Sequence, residues 1–164
     1  MIKFIIFDVD GTLTDGKLYI SSEGEMIKAF NVKDGCGIKD IMIPKGFIPI
    51  VITARKSEIV VKRCHELGIT ELYQGCNNKL QKLNEILRFH SNENRKQYSF
   101  ADCAYIGDDI LDLPCIRAIN EAGGLTGCPQ DAVIKVRNSV KFISEHNGGD
   151  GAVREFIEWC INSG

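Results

Sequence analysis

Short apolar runs rich in β-branched residues alternate along the chain with longer segments whose apolar residues recur at helical spacing. The apolar runs predict strands at 2–7, 47–52, 72–73, 103–106, 122–125 and 140–143. Helical spacing, with capping and breaking residues, predicts helices at 34–42, 57–67, 78–89, 111–119, 129–134 and 152–161. The pattern also predicts a hairpin with a polar tip at 17–30 and a solvated loop at 90–99.

This alternation of strands and helices is typical of an α/β protein with a mainly parallel sheet. It predicts a Rossmann-like three-layer sandwich, and the length of 164 residues favours a single domain over residues 1–164. Only the hairpin and one helix lie between the first two long strands, and the following segments are equally short. We therefore expect no cap domain, only a small flap made by the hairpin at about 17–30.

Composition narrows the classes of partner. The formal net charge is −2, which gives no reason to expect nucleic acid or an anionic membrane surface as a ligand. No apolar run approaches the roughly 20 residues that cross a bilayer, and the first residues do not read as a signal peptide. The chain has 7 cysteines and no Cys-x-x-Cys pair, which favours a reduced, cytoplasmic protein over a disulfide framework or a zinc site.

Polar side chains follow three of the predicted strands and open one of the helices. They are Asp8, Asp10, Thr53, Lys79, Asp108 and Asp109. The carboxyl ends of parallel strands meet at one edge of a sheet, where α/β proteins bind their ligands. Two carboxylates about 4 Å apart repel by roughly 4 kcal/mol at an effective dielectric near 20, so the pair at 8 and 10 favours a cation. Carboxylate oxygens suit Mg²⁺, an ion that usually works beside phosphate.

These residues match the needs of phosphoryl transfer to a carboxylate. Asp8 fits the nucleophile and Asp10 the acid that protonates the leaving oxygen and later activates water. Thr53 and Lys79 fit a clamp on the phosphate oxygens, and Asp108 fits a carboxylate ligand of Mg²⁺. Each group at the predicted sheet edge then has a separate role.

Four motifs resemble those of the haloacid dehalogenase-like phosphatases. They are Asp-Val-Asp-Gly-Thr at 8–12, Ile-Thr at 52–53, the lysine at 79, and Gly-Asp-Asp-Ile-Leu-Asp at 107–112. The resemblance implies an aspartyl-phosphate on Asp8 and proton transfer by Asp10. It also implies Mg²⁺ bound by Asp8, the backbone carbonyl of Asp10, and Asp108. Asp109 and Asp112 would stand around these ligands.

Longer stretches are similar to one branch of that family. They are Asp-Gly-Thr-Leu-Thr-Asp-Gly at 10–16, Ile-Thr-Ala-Arg-Lys-Ser-Glu-Ile-Val at 52–60, Leu-Gly-Ile-Thr-Glu-Leu-Tyr-Gln-Gly at 67–75 and Gly-Gly-Asp-Gly-Ala-Val-Arg-Glu at 148–155. This branch contains the 3-deoxy-D-manno-octulosonate 8-phosphate phosphatases and relatives that act on nine-carbon sugar-acid 9-phosphates. The resemblance implies a capless homotetramer, with the flap at its centre and neighbouring subunits closing each other's sites.

Two arginines are candidates for binding the carboxylate of a sugar-acid phosphate, because the guanidinium fork matches a carboxylate. They are Arg55 and Arg63. An arginine at 55 favours the octulosonate substrate, whereas Gly-Cys-Pro-Gln-Asp-Ala at 127–132 is closer to sialic-acid-associated relatives. A nine-carbon substrate thus stays open. A non-catalytic receiver-like or assembly domain is a further alternative, which the order of the motifs and the complete acid set disfavour.

Overall fold

The computed structural model describes residues 1–163. Its strands are β1 Phe4–Phe7, β2 Tyr19–Ser21, β3 Gly24–Ile27, β4 Ile48–Ile52, β5 Glu71–Tyr73, β6 Cys103–Ile106, β7 Leu125–Cys128 and β8 Phe142–Ile143. Its helices are α1 Val32–Cys36, α2 Glu58–Leu67, α3 Lys79–Asn94, α4 Leu113–Glu121, α5 Ile134–Arg137 and α6 Ala152–Asn162. Within this part of the chain, the search for a helix long and apolar enough to cross a membrane finds none.

Six strands form one sheet in the order β5–β4–β1–β6–β7–β8, and each neighbouring pair is parallel. Strand β1 lies between β4 and β6, with Phe4 in register with Ile48 on one side and Cys103 on the other. All four residues of β1 are buried, as expected for a strand covered by helices on both faces. The predicted mainly parallel α/β sheet is confirmed.

Side chains of β1 alternate between two apolar cores, one on each face of the sheet. Ile5 and Phe7 face the core formed with α2, α6 and the helical turns after α1. Phe4 and Ile6 face the core formed with α3, α4 and α5. The sheet is therefore the middle of three layers, which is the predicted sandwich.

The flap is a separate two-stranded antiparallel hairpin of β2 and β3, inside the predicted range 17–30. An antiparallel bridge between Thr14 and Phe30 closes its base. Its apolar side chains are turned outward and are about half exposed or more: Leu18, Ile20, Met26 and Ile27. This hairpin therefore exposes apolar side chains to solvent, whereas an ordinary surface hairpin exposes polar ones.

The predicted loop at 90–99 is wrong in its first half, because α3 continues to Asn94. His90 extends the apolar stripe of that helix and is buried. Its ring packs on Phe4 with centroids 4.9 Å apart, and its Nε2 lies 2.5 Å from a carboxylate oxygen of Glu71. These contacts with distant residues keep a polar sequence helical.

Two further predictions are displaced along the chain. The strand predicted at 122–125 is observed at Leu125–Cys128, because Ala122 ends α4 and Gly123 follows with a positive φ of 88°. The helix predicted at 129–134 is observed at Ile134–Arg137, since Pro129 and Ala132 are instead joined in a turn. Both errors lie at glycine or proline turns, where the pattern of apolar residues says little about the boundary.

The predicted start of the first helix, at residue 34, is also wrong, because α1 begins at Val32. Asn31, not Asp34, caps α1, with its side-chain oxygen accepting a hydrogen bond of 2.7 Å from the Lys33 backbone. The carboxylate of Asp34 is buried and instead accepts from the backbone N–H groups of Gly151 and Arg154, at 3.4 and 2.8 Å. Asp34 therefore caps the distant helix α6 rather than its own.

Candidate active site

The central strands deliver their first polar residues to one edge of the sheet. Asp8 directly follows β1, and its backbone N–H donates to the Ile106 carbonyl at the end of β6 over 3.1 Å. Thr53 directly follows β4 and is buried, with its backbone N–H donating to the Tyr73 carbonyl over 3.0 Å. Parallel pairing of the strands thus brings segments that are far apart in sequence to one site.

Lys79 is the buried cation of this site. It opens α3, and its Nζ lies 2.7 Å from Asp8 Oδ1 and 2.6 Å from Asp112 Oδ1. Burial alone would lower the pKa of Lys79, but the charges and hydrogen bonds of Asp8 and Asp112 outweigh it and raise that pKa. Lys79 is therefore an ammonium that fixes the position of the Asp8 carboxylate.

Asp112 is a fully buried carboxylate that holds its neighbours in place. Its Oδ1 accepts from Lys79 Nζ and, over 2.7 Å, from the hydroxyl of Tyr105. Its Oδ2 accepts from the backbone N–H groups of Asp108 and Asp109, at 3.0 and 3.1 Å. A carboxylate offers about four lone-pair positions, so these four bonds leave Asp112 little capacity to bind a metal ion.

Asp8 and Asp108, unlike Asp112, keep carboxylate oxygens that can still bind a cation. Ligand oxygens of Asp8, Asp108 and Asp112 all lie within 4.8 Å of one another. Burial, together with the charge of Asp112, raises the pKa of Asp8 to about 6 even though Lys79 opposes the shift. Burial and the charges of Asp8 and Asp112 raise the pKa of Asp108 to about 8. One ammonium against three carboxylates leaves excess negative charge, and hard oxygen donors in that setting fit a cation such as Mg²⁺.

The loop after Asp8 is pressed against two other parts of the site. Gly11 has a φ of 92°, and a Cβ there would lie 2.1 Å from Asp108 Oδ2, so only glycine fits. Thr12 Oγ1 donates to Asp108 Oδ1 over 3.2 Å. On the outer side, Gly149 N–H donates to the Thr12 carbonyl over 3.0 Å, and a Cβ on Gly148 would lie 1.9 Å from the Gly11 carbonyl oxygen. The segment at 148–149 is thus a wall of the site.

Asp10 is held from the flap side. Its Oδ1 forms an ion pair with the Nζ of Lys28, which directly follows β3, and its Oδ2 lies 4.0 Å from Arg55 Nε. The Asp10 side chain is 19% exposed, and that of Arg55 is 47% exposed. Arg55 is accordingly close to the acids while keeping a free guanidinium surface, whereas Lys28 is a partner that the sequence reasoning missed.

Comparison with known proteins gives the family. No family model matches the chain. The 3-deoxy-D-manno-octulosonate 8-phosphate phosphatase KdsC of Escherichia coli is 38% identical over 160 residues, which cover 98% of this chain and 79% of that protein. The chain belongs to the 3-deoxy-D-manno-octulosonate 8-phosphate phosphatase family. Membership in this family confirms the enzymatic interpretation, a phosphatase, over the receiver-like and assembly alternatives.

Solved structures of this phosphatase family share the fold over nearly the whole chain. A probable YrbI family phosphatase from Pseudomonas syringae superposes with a TM-score of 0.90 at 41% identity, covering 99% of this chain and 86% of that one. The Moraxella catarrhalis 3-deoxy-D-manno-octulosonate 8-phosphate phosphatase, solved with magnesium, phosphate and the KDO molecule, gives 0.86 at 35% identity, covering 99% and 87%. The resemblance noted from the motifs is thereby confirmed.

Two side chains predicted for the site of this phosphatase have other partners in this chain. Arg63 NH1 pairs with Glu66 Oε2 over 2.9 Å, and its guanidinium lies 5.6 Å from the ring centroid of Phe30. The Asp109 side chain is exposed and accepts from the Ile110 backbone over 2.7 Å, which caps the turn at Ile110–Asp112. The structure brings together Asp8, Lys79, Asp108 and Asp112, with Asp10 and Arg55 beside the flap. Arg63 contacts Glu66, the ring of Phe30 and, over 3.5 Å, the carbonyl of Asn31.

Proposed function

We propose that this chain hydrolyses 3-deoxy-D-manno-octulosonate 8-phosphate to the free sugar acid and phosphate, with Mg²⁺ as its cofactor. The observation that carries the proposal is the meeting of Asp8, Lys79 and Asp108 at one sheet edge in a chain 38% identical to named phosphatases of that substrate. The substrate is a small-molecule phosphate ester with one carboxylate, and the site offers both anchoring cations and acids for it.

The chemistry proceeds in two displacements at phosphorus. An Asp8 oxygen attacks the phosphorus, the bond to the sugar oxygen breaks, and Asp10 donates a proton to that leaving oxygen. Asp10 then accepts a proton from water, whose oxygen attacks the same phosphorus and breaks the bond to Asp8. Lys79 orients the Asp8 carboxylate, and Thr53 with Lys79 holds the phosphate oxygens in the proposed clamp.

A bound Mg²⁺ would supply charge that screens the nucleophile from the anionic phosphate. Its proposed ligands are carboxylate oxygens of Asp8 and Asp108 and the backbone carbonyl of Asp10. Burial and the neighbouring carboxylates raise the pKa values of Asp8 and Asp108, and a cation bound between these two residues would offset both effects. Asp112 is assigned to positioning, since its oxygens already accept four hydrogen bonds.

Phosphate release by the purified chain tests this function. With Mg²⁺, we expect the octulosonate 8-phosphate to be hydrolysed with a higher kcat/KM than a nine-carbon sugar-acid 9-phosphate. Asp8→Asn keeps the size of the side chain and should abolish turnover while the melting temperature stays close to wild type or rises. Full activity in that variant would remove Asp8 as nucleophile, and preference for the nine-carbon ester would establish the alternative substrate.

The outward-facing apolar side of the flap supports the proposed homotetramer. Leu18, Ile20, Met26 and Ile27 are 48–61% exposed on one small hairpin, an apolar surface that a second copy of the chain would cover. Arg63 stays a proposed substrate ligand, and its guanidinium already contacts Glu66 and Phe30. Light scattering of wild type and of Ile20→Asp separates the cases: a tetramer that dissociates in the variant supports the proposal, and a wild-type monomer refutes it.

A reduced, cytoplasmic location is also proposed, on the state of the cysteines. All seven are free thiols within residues 1–163, and burial raises the pKa of Cys64 to about 11 and that of Cys115 to about 12. Such thiols are poor nucleophiles and need no oxidising compartment. Fractionation of cells that express the chain checks the location. That residues 1–164 form one domain stays a prediction.

A further inference from the structure

Lys28 is a buried lysine of the flap that bridges two carboxylates. Its Nζ forms an ion pair with Asp10 Oδ1 and lies 2.8 Å from Glu25 Oε1, while its side chain is only 2% exposed. Burial alone would lower the pKa of Lys28, but the hydrogen bonds to Asp10 and Glu25 raise it overall. Lys28 therefore stays an ammonium beside Asp10, although no sequence motif marks this lysine.

The far side of this bridge is anchored to the core of the protein. Glu25 Oε2 accepts a hydrogen bond from the hydroxyl of Ser57, the residue before α2. The backbone N–H of Ser57 in turn donates to Gln74 Oε1, just after β5, over 2.7 Å. Glu25 therefore links Lys28 to the start of α2 and the end of β5. The position of the flap is fixed by these hydrogen bonds as well as by the pairing of its two strands.

The two oxygens of Asp10 face different surroundings. Oδ1 is taken by the buried Lys28, whereas Oδ2 lies 4.0 Å from the half-exposed Arg55. A general acid or base must lie within hydrogen-bond reach of the proton it transfers, so one oxygen of Asp10 has to stay available to the reacting group. The open oxygen at this site is Oδ2.

We propose that Lys28 is a positioning residue for the hydrolysis, holding Asp10 by Oδ1 so that Oδ2 carries the proton to and from the reacting oxygens. This inference rests on the proposed function, in which Asp10 is the acid and base. The alternative, that Lys28 binds the substrate directly, predicts a rise in KM for the octulosonate 8-phosphate rather than a loss of rate that depends on the leaving group.

Dependence on the leaving group tests the proposal. A sugar alcohol leaves poorly and needs a proton from Asp10, whereas p-nitrophenolate leaves well without one. General acid–base catalysis contributes about 10²–10⁴-fold, so Lys28→Met should lower the single-turnover rate of sugar release from the octulosonate 8-phosphate by about 10–100-fold. For p-nitrophenyl phosphate we expect the single-turnover rate of p-nitrophenolate release to fall by less than about threefold, with KM for both esters nearly unchanged. The single-turnover rate is compared because the later attack of water on phosphorylated Asp8 needs Asp10 with either ester. Lys28→Arg, which keeps the positive charge, should restore part of the lost rate.

The control is Lys17→Met, which removes an exposed lysine of the same flap whose side chain is 75% exposed. It should leave both single-turnover rates unchanged. Equal losses of the single-turnover rate of leaving-group release for the two esters in Lys28→Met, or a rise in KM alone, would overturn the positioning role. Should Lys28→Met fail to fold, Glu25→Gln loosens the same bridge and should give a smaller loss with the same selectivity. If wild type hydrolyses neither ester, the proposed function fails instead, and the inference with it.

Discussion

Replacing Tyr105 by phenylalanine isolates one buried hydrogen bond of the site. The Tyr105 hydroxyl donates to Asp112 Oδ1 over 2.7 Å, and both residues are fully buried. Burial and the nearby carboxylates raise the pKa of Tyr105 far above its usual range, so the hydroxyl keeps its proton at any pH of interest. The substitution removes one oxygen, leaves the ring in place, and takes one of four donors away from a buried carboxylate.

The expected loss follows from the charge on the acceptor. A hydrogen bond to a charged group contributes about 1.5–3 kcal/mol, and Tyr105→Phe should therefore lower the free energy of unfolding by about 2 kcal/mol. In a protein of this size, 1 kcal/mol corresponds to a shift in Tm of about 2–4 °C, so we expect Tm to fall by about 4–8 °C. Three donors still hold Asp112, and kcat should fall by less than about tenfold.

Differential scanning calorimetry and urea unfolding measure this change, and the chain offers a matched control. The Tyr73 hydroxyl donates to Glu71 Oε2 over 3.1 Å, in a partly exposed setting where water can replace the lost donor. Tyr73→Phe should cost less than about 1 kcal/mol. An equal Tm in the two variants, or a wild-type Tm in Tyr105→Phe, would refute the idea that the Asp112 network is a main support of the site.

Three other perturbations probe charge, shape and substrate choice. Asp108→Asn removes one of the crowded carboxylates, so without metal the Tm of the variant should exceed that of wild type. Mg²⁺ at 100 times its Kd stabilises wild type by about 2.7 kcal/mol and should no longer raise the Tm of the variant. Calorimetry with and without EDTA measures both effects, and a Tm of the variant that still rises with Mg²⁺ would exclude Asp108 as a metal ligand. Gly148→Ala places a methyl group 1.9 Å from the Gly11 carbonyl oxygen. The variant should lose about 1–3 kcal/mol of unfolding free energy and most of its kcat, and unchanged kinetics would show that the segment at 148–149 does not support the nucleophile loop. Arg55→Ala should raise KM for the sugar-acid phosphate at least about tenfold and leave KM for p-nitrophenyl phosphate within about twofold, since only the former carries a carboxylate; equal effects on both would exclude Arg55 from substrate choice.

The polar residues at the strand ends are predictable because their placement needs only local information. Asp8, Thr53 and Asp108 each lie within two residues of an apolar strand, and parallel pairing then forces them to one edge. Lys79 is predictable by the same reasoning, as the first residue of a helix on that side. Neither inference requires knowledge of which side chains touch.

What the sequence does not reveal depends on contacts between distant segments. Lys28 lies 18 residues from its partner Asp10, and nothing in its neighbourhood marks it as buried. Asp112 looks like a spare acid until its four donors are counted. Arg63 is a predicted substrate ligand, and the sequence does not show its contacts with Glu66 and Phe30. Ion pairs between separate elements leave no periodicity, and sequence patterns therefore miss them.

The glycine wall at 148–149 ties the making of the active site to the order of synthesis. The nucleophile loop leaves the ribosome before its wall and before the helix α6 that Asp34 caps, which lie 120 or more residues further along the chain. Contacts of such large sequence separation form late in folding. A chain without residues 148–162 therefore carries Asp8 on an unsupported loop. It can hydrolyse its substrate only once this segment has been made and has packed against the loop.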